Sequence, residues 1–303
     1  MIQTELKPVT VYRSTDTNAP QLTKTAGSLK TVLKACLVEG YGSQPALGWD
    51  MPYENGMKAV FRSKDPKATK TALQVDNAAN TYAEVAMLIE HQSEDKAKKI
   101  AAYNNYKLQY QAWNTTRREW ILIGHSRAFV LLWQGTSKTR MLWFGDFPSL
   151  AVGDTGNCLM YYGSDGDYNE MSTQCNGPRM IGSNYSSASF MLAKSFDALT
   201  LGRFDSMVSS LCGAYAGQIF PDAISNGLSI SQCFVHENIN GRYTMRGLFP
   251  GLYACAQDLR SVAEWSSMDS FVGSGDTFIN CCLHEYNDAT HGYFLINTTA
   301  WPA

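Results

Sequence analysis

Charge is what this chain has least of. Asp, Glu, Lys and Arg make up only 17% of its 303 residues, and the formal net charge is −2. That leaves no long-range positive field to gather phosphates, so nucleic acid is not an expected partner. Long apolar runs are missing too: nothing approaches the roughly 20 residues a membrane helix needs. The opening MIQTELKPVTVY lacks the basic and then apolar pattern of a signal peptide. No membrane partner and a cytoplasmic origin are therefore expected. There is no internal repeat and no alternation of strands with long helices. Gly273-Ser274-Gly275-Asp276 lacks the Lys and Ser/Thr that a phosphate loop places after its glycines, so it reads as a loop and no cofactor is expected.

The eight cysteines are Cys36, Cys158, Cys175, Cys212, Cys233, Cys255, Cys281 and Cys282, scattered among apolar neighbours rather than set at framework spacings. In a reducing compartment they are expected to be free thiols acting as small hydrophobes. Cys281, Cys282 and His284 suggest a metal site at first sight. Adjacent strand residues point to opposite faces, however, and no second CxxC or HxxxH accompanies them, so a plain buried strand is the preferred reading.

What is abundant is apolar and aromatic area, with 45% hydrophobic and 12% aromatic residues. Tyr, Trp and Met are enriched at protein contacts, while charges are depleted at interface cores. The composition suits a subunit of an assembly and a single well-packed domain about equally. Along the chain, VTVYRST alternates like an edge strand. SLKTVLKACLVEG reads as a helix over residues 28–39, with Ser28 as N-cap, an apolar stripe of Leu29, Val32, Leu33, Cys36 and Leu37, and Gly40 as its stop. MKAVFRS and TALQVDN read as short strands, and NTYAEVAMLIEHQ, which fits a helical or a strand period, reads as a strand because Ala83, Val85, Met87 and Ile89 alternate. Residues 93–116 read as an exposed, partly helical excursion on which Tyr103, Tyr106 and Tyr110 share one face, an intersubunit contact or a stripe packed on the protein's own surface. REWILIGHSRAFVLLWQG has the form of a hairpin with strands buried on at least one face, and RMLWFGD follows as another strand. The expected class is α+β and β-rich: antiparallel or mixed sheets with a few packed helices. A composition shift between Gly153 and Gly182 suggests a seam between an N-terminal β-rich domain, residues 1–152, and a C-terminal β-rich half, residues 153–303, although one domain would accommodate both.

Two constellations invite a chemical reading. Gly124-His125-Ser126-Arg127-Ala128 follows an apolar run, as the nucleophile turn of a serine hydrolase follows a strand, and Asp146 or Asp154 with His236, His284 or His291 come later in hydrolase order. Its last position is Ala rather than Gly, and FVLLWQG reads as a return strand where the helix of such an enzyme should begin. A hairpin turn is therefore preferred, with Ser126, His236 and Asp146 kept as the catalytic alternative. Asp165, Asp167 and Glu170 in YYGSDGDYNEM would suit a hard cation, but the full calcium-loop pattern is absent and a solvated turn is preferred. Trp120, Trp133 and Trp143 read as core filler.

Six blocks then carry a family likeness. TVLKACLVEGYGSQPALGWDMPYENGMKAVFR, LQVDN, REWILIGHSRAFVLLW, FGDFPSLAVGD, MRGLFPGLYAC and LINTTAWP resemble, in the same order, segments of a family of structural proteins in tailed-phage virions: VLxACLVxGYGxKPxxGW, GDxPSxxxGD, RGxLPGLY and a terminal GPW among them. Gln44 stands where a basic residue is usual, and residues 93–116 have no counterpart. The resemblance implies a capsid decoration, minor capsid or tail-associated protein with no enzymatic activity or cofactor. It implies a protein that associates with itself as a homo-oligomer and with neighbouring capsid or tail proteins, and a location in the virion after synthesis in the bacterial cytoplasm. A serine hydrolase, or a receptor- or glycan-binding module using exposed aromatics, are the alternatives.

Overall fold

The uninterrupted apolar runs between residues 120 and 146 demand partners on both faces, and both faces are covered. The computed structural model describes residues 5–80, 82–90, 98–99, 106–109, 117–134, 139–163, 189–193, 195–196, 206–210, 220–221, 223–224, 226–239, 242–255, 257, 259, 261–269, 275–281 and 293–303. The runs lie in a central antiparallel sheet of six strands, ordered Ser189–Ala193, Cys158–Gly163, Thr139–Asp146, Ala128–Gln134, Trp120–His125 and Thr10–Arg13. Successive residues of a strand face opposite ways. Trp120, Leu122, Phe129, Leu131, Trp133, Leu142, Phe144 and Met160 consequently enter one core, and Ile121, Ile123, Val130, Leu132, Met141, Trp143, Leu159 and Tyr161 enter another.

The first core is closed by an N-terminal outer sheet, Trp49–Asn55, Lys58–Ser63, Ala72–Asp76, Tyr82–Glu90 and Lys98–Lys99, with Tyr106–Gln109 also paired to Tyr82–Glu90. Phe61, Leu73, Val75, Val85 and Met87 come from this sheet, and Leu29, Val32, Leu33, Cys36 and Leu37 from the helix beside it. The second core is closed by a C-terminal outer sheet, ordered Ser206–Ser210, Ile230–Ile239, Arg242–Cys255, Tyr293–Asn297, Thr277–Cys281 and Ser267–Asp269, which supplies Val235, Phe249, Leu252, Ile279 and Ile296, joined by Trp301. Three β-layers thus enclose two cores, and the second core mixes side chains from both sides of residue 153. Truncating one of its large aromatics to Ala would cost about 3–5 kcal/mol in lost transfer energy and a residual cavity.

The β-rich, antiparallel expectation holds. Among the described residues the expected set of packed helices reduces to one short helical segment, α-helical over Ser28–Lys34 and π-helical over Ala35–Glu39. It covers the expected span and ends at Gly40, but its cap differs. Gly27 is the N-cap residue, and the Ser28 hydroxyl donates to the Thr23 carbonyl at 2.9 Å. The amides of Leu29 and Lys30 instead donate to Asn77 Oδ1, at 2.9 and 3.2 Å, so a residue of the outer sheet's Asp76 turn satisfies the helix's first donors. The partly helical reading of residues 93–116 is corrected where they are described. Tyr106–Gln109 pairs antiparallel with Tyr82–Val85, so Tyr106 lies on a strand, while Tyr103 and Tyr110 fall outside the described residues.

Candidate functional site

Ser126 and Arg127 form the two-residue loop of the central hairpin, because His125 pairs directly with Ala128 and strand resumes at once. A nucleophile turn needs a helix at this point to support an oxyanion hole, and Ala128–Gln134 is a strand. The Ser126 hydroxyl donates to Asp65 Oδ2 at 2.8 Å, and the same oxygen accepts Lys7 Nζ at 2.9 Å. Burial works to raise the Asp65 carboxyl. Lys7, the Lys67 amide and Ser126 together outweigh it and hold the group at about 2. A carboxylate that acidic is a poor base, so Asp65 anchors the serine instead of activating it.

The other two members of the catalytic alternative are engaged elsewhere. Asp146 accepts the Thr69 amide at 2.8 Å, the Thr69 hydroxyl at 2.7 Å and Arg127 Nε at 3.5 Å; burial pushes its carboxyl up, against the pull of those donors. His236 sits in the C-terminal outer sheet, in register with Met207 and Met245, half-buried and lowered in pKa by that burial. The structure does not bring Ser126, His236 and Asp146 together. His284 and His291, and the cation candidates Asp165, Asp167 and Glu170, lie outside the described residues. Among the described residues no group of three His, Cys, Asp or Glu side chains is arranged to hold a metal ion. The described cysteines, Cys36, Cys158, Cys233, Cys255 and Cys281, are buried and form no disulfide among the described residues, and burial raises the thiols of Cys36 and Cys158 well above their ordinary range.

What the structure does assemble is a closed circuit of contacts among segments far apart in sequence. Trp49 Nε1 donates to the His125 carbonyl at 3.2 Å, tying the segment after the helix to the hairpin turn. Arg127 of that turn meets Asp146, and the Asp146 amide donates to the Arg127 carbonyl at 3.0 Å. This approach explains Gly145, whose φ is +146° and where an added Cβ would lie 2.4 Å from both Ala128 Cα and the Arg127 oxygen. Eight residues on, Asp154 receives Arg246 through Nε and Nη2, both at 2.9 Å, together with the Ser149 hydroxyl and the Gly156 amide. Glu237 approaches the same guanidinium at 3.4 Å, and Phe147 lies beneath it with its ring centre 5.1 Å from Arg246 Cζ. Gly251, on the same strand as Arg246, packs under the Trp301 indole. Trp301 returns the circuit to its start, with its ring edge-on to His125 at 5.7 Å between centres.

His125, 4% exposed, is the hub. Its Nδ1 accepts the Arg127 amide at 3.0 Å, which places the neutral ring's proton on Nε2, and Nε2 is buried with no hydrogen-bond partner among the described residues. Burial first, with Lys7 and Arg127 adding to it, lowers the pKa to about 4.

Around the circuit further polar groups close on one another. Tyr41 and the Gln44 amide both donate to Asp16 Oδ2, at 2.9 and 3.1 Å, and the Tyr12 hydroxyl donates to the Pro45 carbonyl at 2.5 Å. Gln44, set where the resembling family has a basic residue, thus serves an acidic partner with an amide. No protein-family model matches the chain, and no curated protein is similar to it. Sequence reading did not single out Asp65, Asn77 or Arg246. Asp65 and Asn77 stand in polar turns that look like solvated loops, and only the family-like blocks that reach Asn77 and Arg246 marked their neighbourhoods. Among the described residues no helix is long and apolar enough to cross a membrane.

Proposed function

We propose that this protein is a structural component of a tailed-phage virion, a capsid decoration, minor capsid or tail-associated subunit that works through contacts with its own copies and with neighbouring particle proteins. The observation that carries the reading is the circuit just described. Trp49, Arg127, Asp146, Asp154, Arg246, Gly251 and Trp301 belong to five of the six family-like blocks, and each spends its polar or packing capacity on another block. Residues kept for catalysis leave functional groups aimed at a space where substrate can sit; these are consumed in joining layers. A subunit repeated many times in a shell or tube needs a rigid body, because symmetry multiplies each modest contact only if the contacting surfaces hold their shape.

The hydrolase alternative loses its support once Ser126 is seen bonded to Asp65. The test of the leading reading is the copy number of this chain in purified particles of the phage that encodes it, measured by quantitative mass spectrometry against the major capsid protein. Stoichiometric, many-copy presence that survives density-gradient purification is expected. Its absence from intact particles removes the proposal.

A further inference from the structure

At the end of the central hairpin opposite the GHSRA turn, an open cleft of about 240 Å³ is lined by Arg13, Glu119, Trp120, Gln134, Glu264 and Trp265, with Ser14, Thr15 and Ile121 completing its wall. None of these residues belongs to the circuit around His125. We propose that this cleft binds one neutral pyranose unit of a glycan.

The corner of the cleft is built rather than incidental. Trp265 has a left-handed backbone, φ +63°, a conformation that bulky side chains rarely adopt and that persists only when surrounding contacts fix it. Those contacts are present. The Trp265 amide donates to the Asn280 carbonyl at 2.9 Å, and its indole Nε1 donates to Thr139 Oγ1 at 2.8 Å. The Thr139 hydroxyl in turn donates to Glu264 Oε1, which also accepts the Thr139 amide at 3.2 Å. One threonine at the start of a central strand therefore sets both the indole and the carboxylate, so Thr139 is a positioning residue. At the open end of the hairpin, where the Gln134 amide donates to the Glu119 carbonyl, Gln134 Nε2 also reaches Glu119 Oε2 at 3.5 Å, a long bond that a ligand hydroxyl would readily replace. Among the described residues the Arg13 guanidinium has no hydrogen-bond or ion-pair partner.

The chemistry of the lining selects the ligand class. Glu119 and Glu264 oppose an anion, and Arg13 opposes a cation. A guanidinium, two carboxylates and an amide around one small space offer donors and acceptors side by side, the pattern that vicinal hydroxyls match because each both donates and accepts. The volume corresponds to roughly eight waters at about 30 Å³ each, below the roughly 300 Å³ where drug-sized sites begin, so a single ring fits and an extended chain does not. Trp265, which also packs on the second core, supplies the apolar wall that a sugar's C–H face requires.

The inference does not depend on the virion reading. Its test is saturation-transfer NMR on the whole chain with the methyl glycosides of glucose, galactose, mannose and N-acetylglucosamine, alongside sialic acid, spermidine and adenosine. At least one neutral glycoside is expected to bind, and Arg13→Ala and Glu119→Gln are each expected to weaken it about tenfold or more while the melting temperature stays unchanged. If either variant fails to fold, Gln134→Ala, at an exposed side chain, carries the same expectation. Failure of every neutral glycoside to bind, binding indifferent to all three substitutions, or a preference for sialic acid, spermidine or adenosine overturns the proposal.

Discussion

Gly251 and Trp301 occupy space that only this pair can share. The glycine has φ +73°, and a Cβ built on it would lie 2.2 Å from Trp301 Cε2. The indole in turn donates to the Asn297 carbonyl at 2.7 Å, so it cannot swing aside without losing that bond. Gly251→Ala combines a left-handed backbone with overpacking against an anchored ring and is expected to destabilise the fold by about 2–4 kcal/mol. Urea unfolding reads this as a lower midpoint at unchanged slope.

The Arg246–Asp154 pair is almost fully buried, with side-chain exposures of 3% and 0%. Breaking it leaves a charge without its partner inside the protein. Asp154→Ala and Arg246→Ala should each cost about 3–5 kcal/mol, and the double variant less than the sum, because the interaction between Asp154 and Arg246 is then removed only once, while the loss of Arg246 from Glu237 is common to the single and double variants. A double-mutant cycle by chemical denaturation measures the difference. Strict additivity would mean that the loop at residues 147–157 is not held by this pair.

His125 makes stability fall with acid in a defined window. Its pKa is about 4 in the folded protein and about 6.5 in the unfolded chain, so the unfolded chain takes up the proton first as the pH drops. The contribution of the neutral ring is complete above pH 6.5 and is lost progressively down to about pH 4, amounting to about 3 kcal/mol. His236, also shifted down by burial, adds to the same window. The measurement is therefore the difference between the protein and His125→Gln, whose unfolding free energy should vary less steeply between pH 6.5 and 4. Asp65, held near 2, acts below that range, where its protonation removes the anchor of Lys7 and Ser126.

Ser126→Ala should lower stability by about 1 kcal/mol, the value of a part-buried hydrogen bond to a carboxylate. Generic ester hydrolysis by the purified protein should be at background before and after the change. Turnover abolished by this one substitution, with the fold intact, would restore the hydrolase reading.

The hairpin at residues 120–134 was readable because two apolar runs flank GHSR, and a buried strand shows itself as such a run. The runs even exceed what one buried face needs, which is the trace of a sheet covered on both sides, although sequence alone does not say by what. The helix was readable from its stripe, yet its cap was not, because Asn77 lies 48 residues beyond Leu29 and only the fold brings it there. Ser126 drew attention through local spacing, while its actual partner, Asp65, is 61 residues away in a turn that reads as solvated. The cleft at Trp265 left no motif either. Its lining comes from four separate segments, and the one local oddity, a tryptophan in a left-handed conformation, has no sequence signature.

The proposed role in an assembly requires that copies of the three-layer body associate. The most direct measurement is the mass of the purified chain by light scattering, followed from dilute solution to the highest concentration at which it stays soluble. A closed oligomer of fixed size that grows with concentration and then stops is the predicted result. A strict monomer across the whole range would contradict a protein that acts through contacts between its own copies.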